Sequence, residues 1–91
     1  MRKKNALMNL LKRRGLTQRR FSELLSERWQ PITGRTISLQ AVGNWIHGRS
    51  VPKLEPIELA ITIEVLDCSL TELVLAFEEI RKRSQSKDRI K

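Results

Sequence analysis

One cysteine, one histidine and four glycines are all that 91 residues contain of three residue types on which many site chemistries depend. A single cysteine excludes an internal disulfide framework, and with a single histidine it leaves no zinc site at the usual spacings, so neither metal nor cofactor is expected. There is no glycine-rich phosphate cradle and no pair of carboxylates beside a nucleophile, which leaves an enzymatic reading without residues to carry it. Long apolar runs are missing too. Met1-Arg2-Lys3-Lys4 has the basic character of a signal-peptide start, but the apolar stretch behind it is broken by Asn9 and by Lys12-Arg13-Arg14, and no span of about 18 apolar residues follows. The expectation is an intracellular, cytoplasmic chain with no membrane segment. Clean alternation of apolar and polar residues is absent as well, so no strand is expected and the fold class reads as all-α.

What the sequence has in excess is positive charge, 18 Lys and Arg against 10 Asp and Glu. Nucleic acid is therefore the first partner to consider. The excess is unevenly spread. Residues 1–52 carry 11 basic and two acidic side chains, residues 53–79 carry Lys53 against seven acids, and residues 80–91 carry six basic side chains against Asp88. A basic front and tail thus flank an acidic back, a pattern suited to setting one face against phosphates. A chain of this length buries one small core, which predicts one domain over residues 1–83 and a basic, flexible tail over 84–91.

Period and punctuation divide the chain into five helices. The first runs from about Asn5 to Arg14, with Leu7, Leu10 and Leu11 inward and Gly15 as its stop. The second opens at Thr17, turns Phe21, Leu24 and Leu25 inward, and ends at Pro31, with residues 31–36 forming a loop. The fourth has Pro56 in its first turn and an apolar repeat of Leu59, Ile63 and Leu66. The fifth opens with Ser69 and Glu72 at capping-box spacing and repeats Leu70, Leu73, Val74, Phe77 and Ile80. Cys68 reads as a small buried hydrophobe, and Trp29 as either core or interface.

The third helix is the most informative stretch. Ser38 caps it, Ile37 and Val42 occupy the two staple positions, and Gly48 with Pro52 marks its end near Ile46. Val42 and Trp45 turn inward, leaving Leu39, Gln40, Gly43 and Asn44 on a displayed face. His47, near its end, faces solvent or a phosphate.

Three pieces in this order, Gly15-Leu16-Thr17-Gln18, then Trp45-Ile46-His47-Gly48-Arg49-Ser50-Val51-Pro52, then Leu66-Asp67-Cys68-Ser69-Leu70-Thr71-Glu72-Leu73, resemble the phage-repressor and Cro type of helix-turn-helix domain, the XRE family. The resemblance covers roughly Leu7 to Leu73 and implies a five-helix, lambda-repressor-like domain whose third helix enters the major groove of double-stranded DNA. It implies base-reading by Leu39, Gln40, Gly43 and Asn44, with Gln40 placed to pair with adenine and Leu39 with a thymine methyl. Thr17, Gln18, Arg19, Arg35, Thr36, Arg49, Ser50 and Lys53 are the implied phosphate or loop contacts, with Arg2, Lys3 and Lys4 as a flexible arm.

One departure from the family concerns the connection between the second and third helices, a turn of only about 3–4 residues in such domains. Here Thr17 and Ser38 lie 21 positions apart. Either the second helix is longer, with Trp29 extending its stripe, or a loop bulges out and carries Arg28 and Arg35. Leu75, Ala76 and Ile80 lie beside the inward stripe of the fifth helix and are the candidates for a homodimer interface. The expected function is a small transcriptional regulator that occupies an operator, with no residues left to build an effector domain. The alternative is a protein-binding adaptor or antitoxin-like inhibitor acting through the acidic back or the fifth helix.

Overall fold

Five helices make up the computed structural model, which describes residues 5–89 and the side chains of residues 5–83: α1 (Ala6–Arg14), α2 (Gln18–Thr33), α3 (Leu39–Ile46), α4 (Pro56–Leu66) and α5 (Leu70–Arg89). No strand occurs among the described residues, so the architecture is all-α. Capping chemistry starts the helices close to where the sequence puts it. Side-chain oxygens of Asn5, Thr17 and Ser38 accept the backbone N–H of Met8, Arg20 and Ala41 at 3.1, 3.0 and 3.1 Å. Ser69 and Glu72 form the reciprocal box, Glu72 N–H donating to Ser69 Oγ at 3.0 Å and Ser69 N–H to Glu72 Oε1 at 2.9 Å. Gly15 closes α1 at φ 71°, a left-handed turn that returns its N–H to the carbonyls of Leu11 and Lys12.

The core draws on every helix. Leu7, Leu10 and Leu11 of α1, Phe21, Leu25 and Trp29 of α2, and Val42, Trp45 and Ile46 of α3 belong to one buried cluster, in which α1 packs on α5 and α4 while α2 packs on α4 and α3. Trp29 is fully buried, which resolves its two readings in favour of the core. Trp45 is buried and meets Phe77 of α5 at a ring-centroid distance of 6.2 Å.

Pro31 does not end α2. The helix continues through it to Thr33 and stops at Gly34, at φ 77°. A proline inside a helix removes one hydrogen bond and crowds the preceding turn, at a cost of about 3 kcal/mol. Contacts on both sides of it offset that cost. Trp29 is anchored in the core, and Thr33 donates its hydroxyl to the Trp29 carbonyl at 3.2 Å and lies 3.2 Å from Glu58 Oε2. The long connection between Thr17 and Ser38 is therefore mostly helix, and only residues 34–38 link α2 to α3. This linker is tied back by Ser26, whose hydroxyl accepts Ile37 N–H at 2.9 Å and donates to the Ile37 carbonyl at 3.0 Å.

Two apolar stripes are rotated from their expected positions. In α4 the buried face is Glu58, Ile61, Thr62, Val65 and Leu66, while Leu59 and Ile63 are only partly covered. In α5 the buried residues are Leu73, Ala76 and Ile80, with Phe77 partly buried, whereas Leu70 and Val74 are exposed. Ala76 and Ile80 thus belong to the core and are not uncovered dimer candidates. The α5 backbone stays helical to Arg89, past the boundary expected at residue 83.

Contacts with α1 set the rotation of α5. Arg13 pairs with both oxygens of Glu72, at 2.9 and 3.1 Å, and Ala6 N–H donates to Glu79 Oε1 at 2.9 Å. The Arg13 guanidinium, with help from the Ser69 N–H, holds the Glu72 carboxyl at about 2, below its usual 4.5. A carboxyl more acidic in the folded state than in the unfolded chain adds stability that is complete above pH 4.5 and disappears as pH falls toward 2. Glu72→Gln is accordingly expected to flatten that part of the stability profile, read by thermal unfolding at intervals between pH 2 and 6. An unchanged profile would remove Glu72 as its source.

Candidate functional site

Among the described residues, no helix is long and apolar enough to cross a membrane and no group of three or more His, Cys, Asp or Glu could hold a metal. A shallow groove of about 330 Å³ runs between α1 and α5, lined by Ala6, Asn9, Leu10, Arg13, Glu72 and Leu75. It contains no nucleophile with an adjacent base, so the displayed face of α3 is the stronger candidate.

Eight residues make α3. Val42, Trp45 and Ile46 are buried beneath it, Leu39 and Gln40 are exposed, and Gly43 and Asn44 are half-buried. The start of α2 lies beside this face. A Cβ added at Gly43 would sit 3.8 Å from Gln18 Oε1, an ordinary van der Waals separation. The protein's own packing therefore has room for a methyl group at position 43. Glycine in mid-helix nevertheless costs about 1 kcal/mol relative to alanine. Asn44 Oδ1 lies 3.5 Å from Arg49 Nη1, and the Asn44 carbonyl accepts Arg49 N–H at 2.8 Å, so the turn after α3 folds back onto its last polar residue. His47 is exposed at the end of α3.

The other expected contacts separate into two groups. Thr17, Arg19, Thr36, Arg49, Ser50 and Lys53 are exposed and Gln18 is half-buried, and among the described residues Arg19, Arg49 and Lys53 have no carboxylate partner. Arg35 stands apart. Its Nη1 lies 2.8 Å from Glu58 Oε1, and its guanidinium sits 5.8 Å from the Trp29 ring centroid. Its side chain, 47% exposed, is held at the boundary between core and solvent by the buried Glu58. Arg28, the other cation of that segment, pairs with Glu64. Arg2, Lys3 and Lys4 lie outside the described residues. Of the dimer candidates only Leu75 is uncovered, at 63% exposure, and Leu70 and Val74 flank it on α5.

The acidic back is largely neutralised from within. Glu58 pairs with Arg35, Glu64 with Arg28, Glu72 with Arg13 and Glu78 with Arg81, while Glu79 accepts the N–H of Ala6. Sequence reasoning missed Glu58, Ser26 and Arg83. Glu58 is fully buried, and its only local sign is its spacing from Glu55, whose N–H donates to Glu58 Oε1 at 2.9 Å. Ser26 and Arg83 act on residues 11 and 37 positions away, at Ile37 and Ile46, and carry no local sign. Comparison of the chain with protein-family models, with curated proteins and with solved structures returns no match, so the functional reading rests on the geometry and chemistry of these residues alone.

Proposed function

We propose that this protein is a sequence-specific double-stranded DNA-binding protein of the lambda-repressor-like helix-turn-helix kind, a small transcriptional regulator that reads the major groove with α3. The observation that carries the reading is the α3 face. It is a capped helix held from beneath by Val42, Trp45 and Ile46, with an amide at Gln40, an apolar tip at Leu39, and a glycine at 43 that internal packing does not require. Such a helix, beside the capped start of α2 and the cations Arg19, Arg49 and Lys53, suits base edges in the groove and phosphates around it. Leu70, Val74 and Leu75 support a homodimer through α5, and a dimer of such modules reads two half-sites about 34 Å apart.

The same exposed residues favour the second reading, a protein-binding adaptor or antitoxin-like inhibitor. Its other support, an acidic docking face, is weakened because four of those carboxylates pair with arginines of the same chain.

The experiment is selection of duplexes from a random library at about 150 mM salt, where screening suppresses nonspecific attraction. Enrichment of a palindrome is expected. Recovery of unenriched DNA would reject the reader and leave the adaptor. Gly43→Ala gives an independent check. It should stabilise the fold by about 0.5–1 kcal/mol in denaturant unfolding, while weakening binding to the enriched duplex by blocking close approach.

A further inference from the structure

The last turn of α3 hands one of its carbonyls to distant side chains. Backbone N–H groups of His47, Gly48 and Arg49 return to the carbonyls of Gly43, Trp45 and Asn44 at 2.9, 3.1 and 2.8 Å. Ile46 O instead accepts Asn5 Nδ2 at 2.9 Å and Arg83 Nη1 at 3.3 Å. A carbonyl at a helix end has no partner inside its own helix and belongs to the negative end of the dipole, so a guanidinium is a well-suited donor to it. Asn5 uses both ends of its amide. Its Oδ1 caps α1 by accepting Met8 N–H at 3.1 Å, while its Nδ2 holds α3.

One face of α5 joins these two helices. Glu79 and Arg83 are four positions apart in the same helix and therefore project from the same side. Glu79 Oε1 accepts Ala6 N–H at 2.9 Å, at the positive start of α1, and Arg83 reaches the negative end of α3. Two further contacts fix the approach. The Trp45 and Phe77 rings lie 6.2 Å apart, and the buried Gly48, at φ 74°, would place a Cβ 3.2 Å from both the Cβ and the Nε of Arg83. The Arg83 stem thus lies against the turn that closes α3, and glycine at 48 leaves room for it.

We infer that Arg83, together with Asn5, is a positioning residue for base reading by the last turn of α3, and that Asn44 is the reading residue it aims. The inference rests on the DNA-binding reading and adds the device that holds its helix. α3 has only eight residues, and a helix so short is held by tertiary contacts rather than by its own backbone. Its start is fixed separately. Ser38 caps it, and Ser26 bonds both the N–H and the carbonyl of Ile37. Gln40 lies beside those bonds, whereas Asn44 lies about 6 Å further along the axis, next to the junction, at a rise of 1.5 Å per residue. Releasing Ile46 O therefore frees the end that carries Asn44 and spares the end that carries Gln40. Arg83 acts through the helix and neutralises no phosphate, because its guanidinium is engaged on the Ile46 carbonyl.

The test compares the full chain with Arg83→Met, Arg83→Lys and Asn5→Ser in competition between the selected duplex and its single-base variants. Affinity is also followed against salt, and folding is checked by thermal unfolding. Asn44→Ala and Gln40→Ala mark the base pairs that the two amides read. Arg83→Met keeps the stem and loses the donor. It should reduce preference at the Asn44 base pair by at least about 5-fold, the lower bound for an amide–base pair, with preference at the Gln40 base pair and the slope of log K against log salt unchanged. Arg83→Lys still offers a donor to the carbonyl and should retain most of the preference. Asn5→Ser keeps a capping oxygen on α1 but is too short to reach Ile46, and should lose preference at the same base pair as Arg83→Met. Full preference in folded Arg83→Met and Asn5→Ser, with only a lower melting temperature, would overturn the inference and leave the DNA reading intact. Equal losses at the two base pairs would overturn it as well, as would an Asn44→Ala protein of unaltered preference. A salt slope lowered by about 0.9 in Arg83→Met would make Arg83 a phosphate contact and overturn its positioning role. A wild-type chain that prefers no duplex would overturn the inference and the DNA reading together.

Discussion

Arg35→Ala is expected to destabilise the protein by about 2–3 kcal/mol and to leave the DNA affinity of the folded fraction nearly unchanged. Glu58 is fully buried and Arg35 is 47% exposed at the side chain, so the pair spans the boundary between core and solvent. Removing one partner of a fully buried pair costs about 3–5 kcal/mol, because the remaining charge stays in a poor solvent, and solvent access on the arginine side reduces that figure. The N–H of Glu55 remains to hydrogen-bond the carboxylate, which limits the loss further. The arginine also covers the Trp29 ring, worth about 0.5–1 kcal/mol at a partly exposed site. For a domain of this size the melting temperature should fall by about 10–20 °C. Adding Glu58→Gln to the Arg35→Ala background should recover part of the loss, since an amide is less costly to bury than an unpaired carboxylate. Strict additivity of the two substitutions in denaturant unfolding would remove the coupling. A lowered salt slope in folded Arg35→Ala would return Arg35 to the phosphate contacts.

Gln40→Ala should produce the opposite pattern, a large effect on sequence preference and almost none on stability. Gln40 is exposed on α3, and surface substitutions of that kind usually stay within about 0.5 kcal/mol. A bidentate amide–adenine pair contributes about 1–3 kcal/mol of discrimination, so preference at one base pair of each half-site should fall by about 5- to 150-fold. Arg19→Ala serves as the contrast. It should weaken all duplexes alike and reduce the salt slope by about 0.9. The measurement is competition between the enriched duplex and its single-base variants, for each protein. Equal losses of preference from the two substitutions would dissolve the division between reading and anchoring, and with it the role assigned to the α3 face.

These two residues mark how far the sequence is legible. Gln40 can be read because everything that exposes it is near in sequence. Ser38 caps the helix, and the spacing of Val42 and Trp45 fixes which side goes inward. Arg35 cannot be read in the same way, because its partner is 23 positions away on α4 and nothing within a few residues distinguishes it from Arg19 or Arg49. Pro31 belongs with Arg35. A local rule ends the helix there, and the contacts that keep it going come from Glu58 and from the core around Trp29.

The sequence by itself determined the helices, most of their starts and stops, the inward residues of α1, α2 and α3, and the displayed face at 39–44. Caps, glycine stops and helical periodicity act between residues a few positions apart. Only the tertiary structure decided which side of α4 and α5 is buried, that the acidic stretch is paired from within, and that Asn5, Gly48 and Arg83 meet at the end of α3. The fourth and fifth helices are apolar on more than one side. A helix of that kind has several rotations with similar local energies, and contacts with α2 for α4 and with α1 for α5 select one of them.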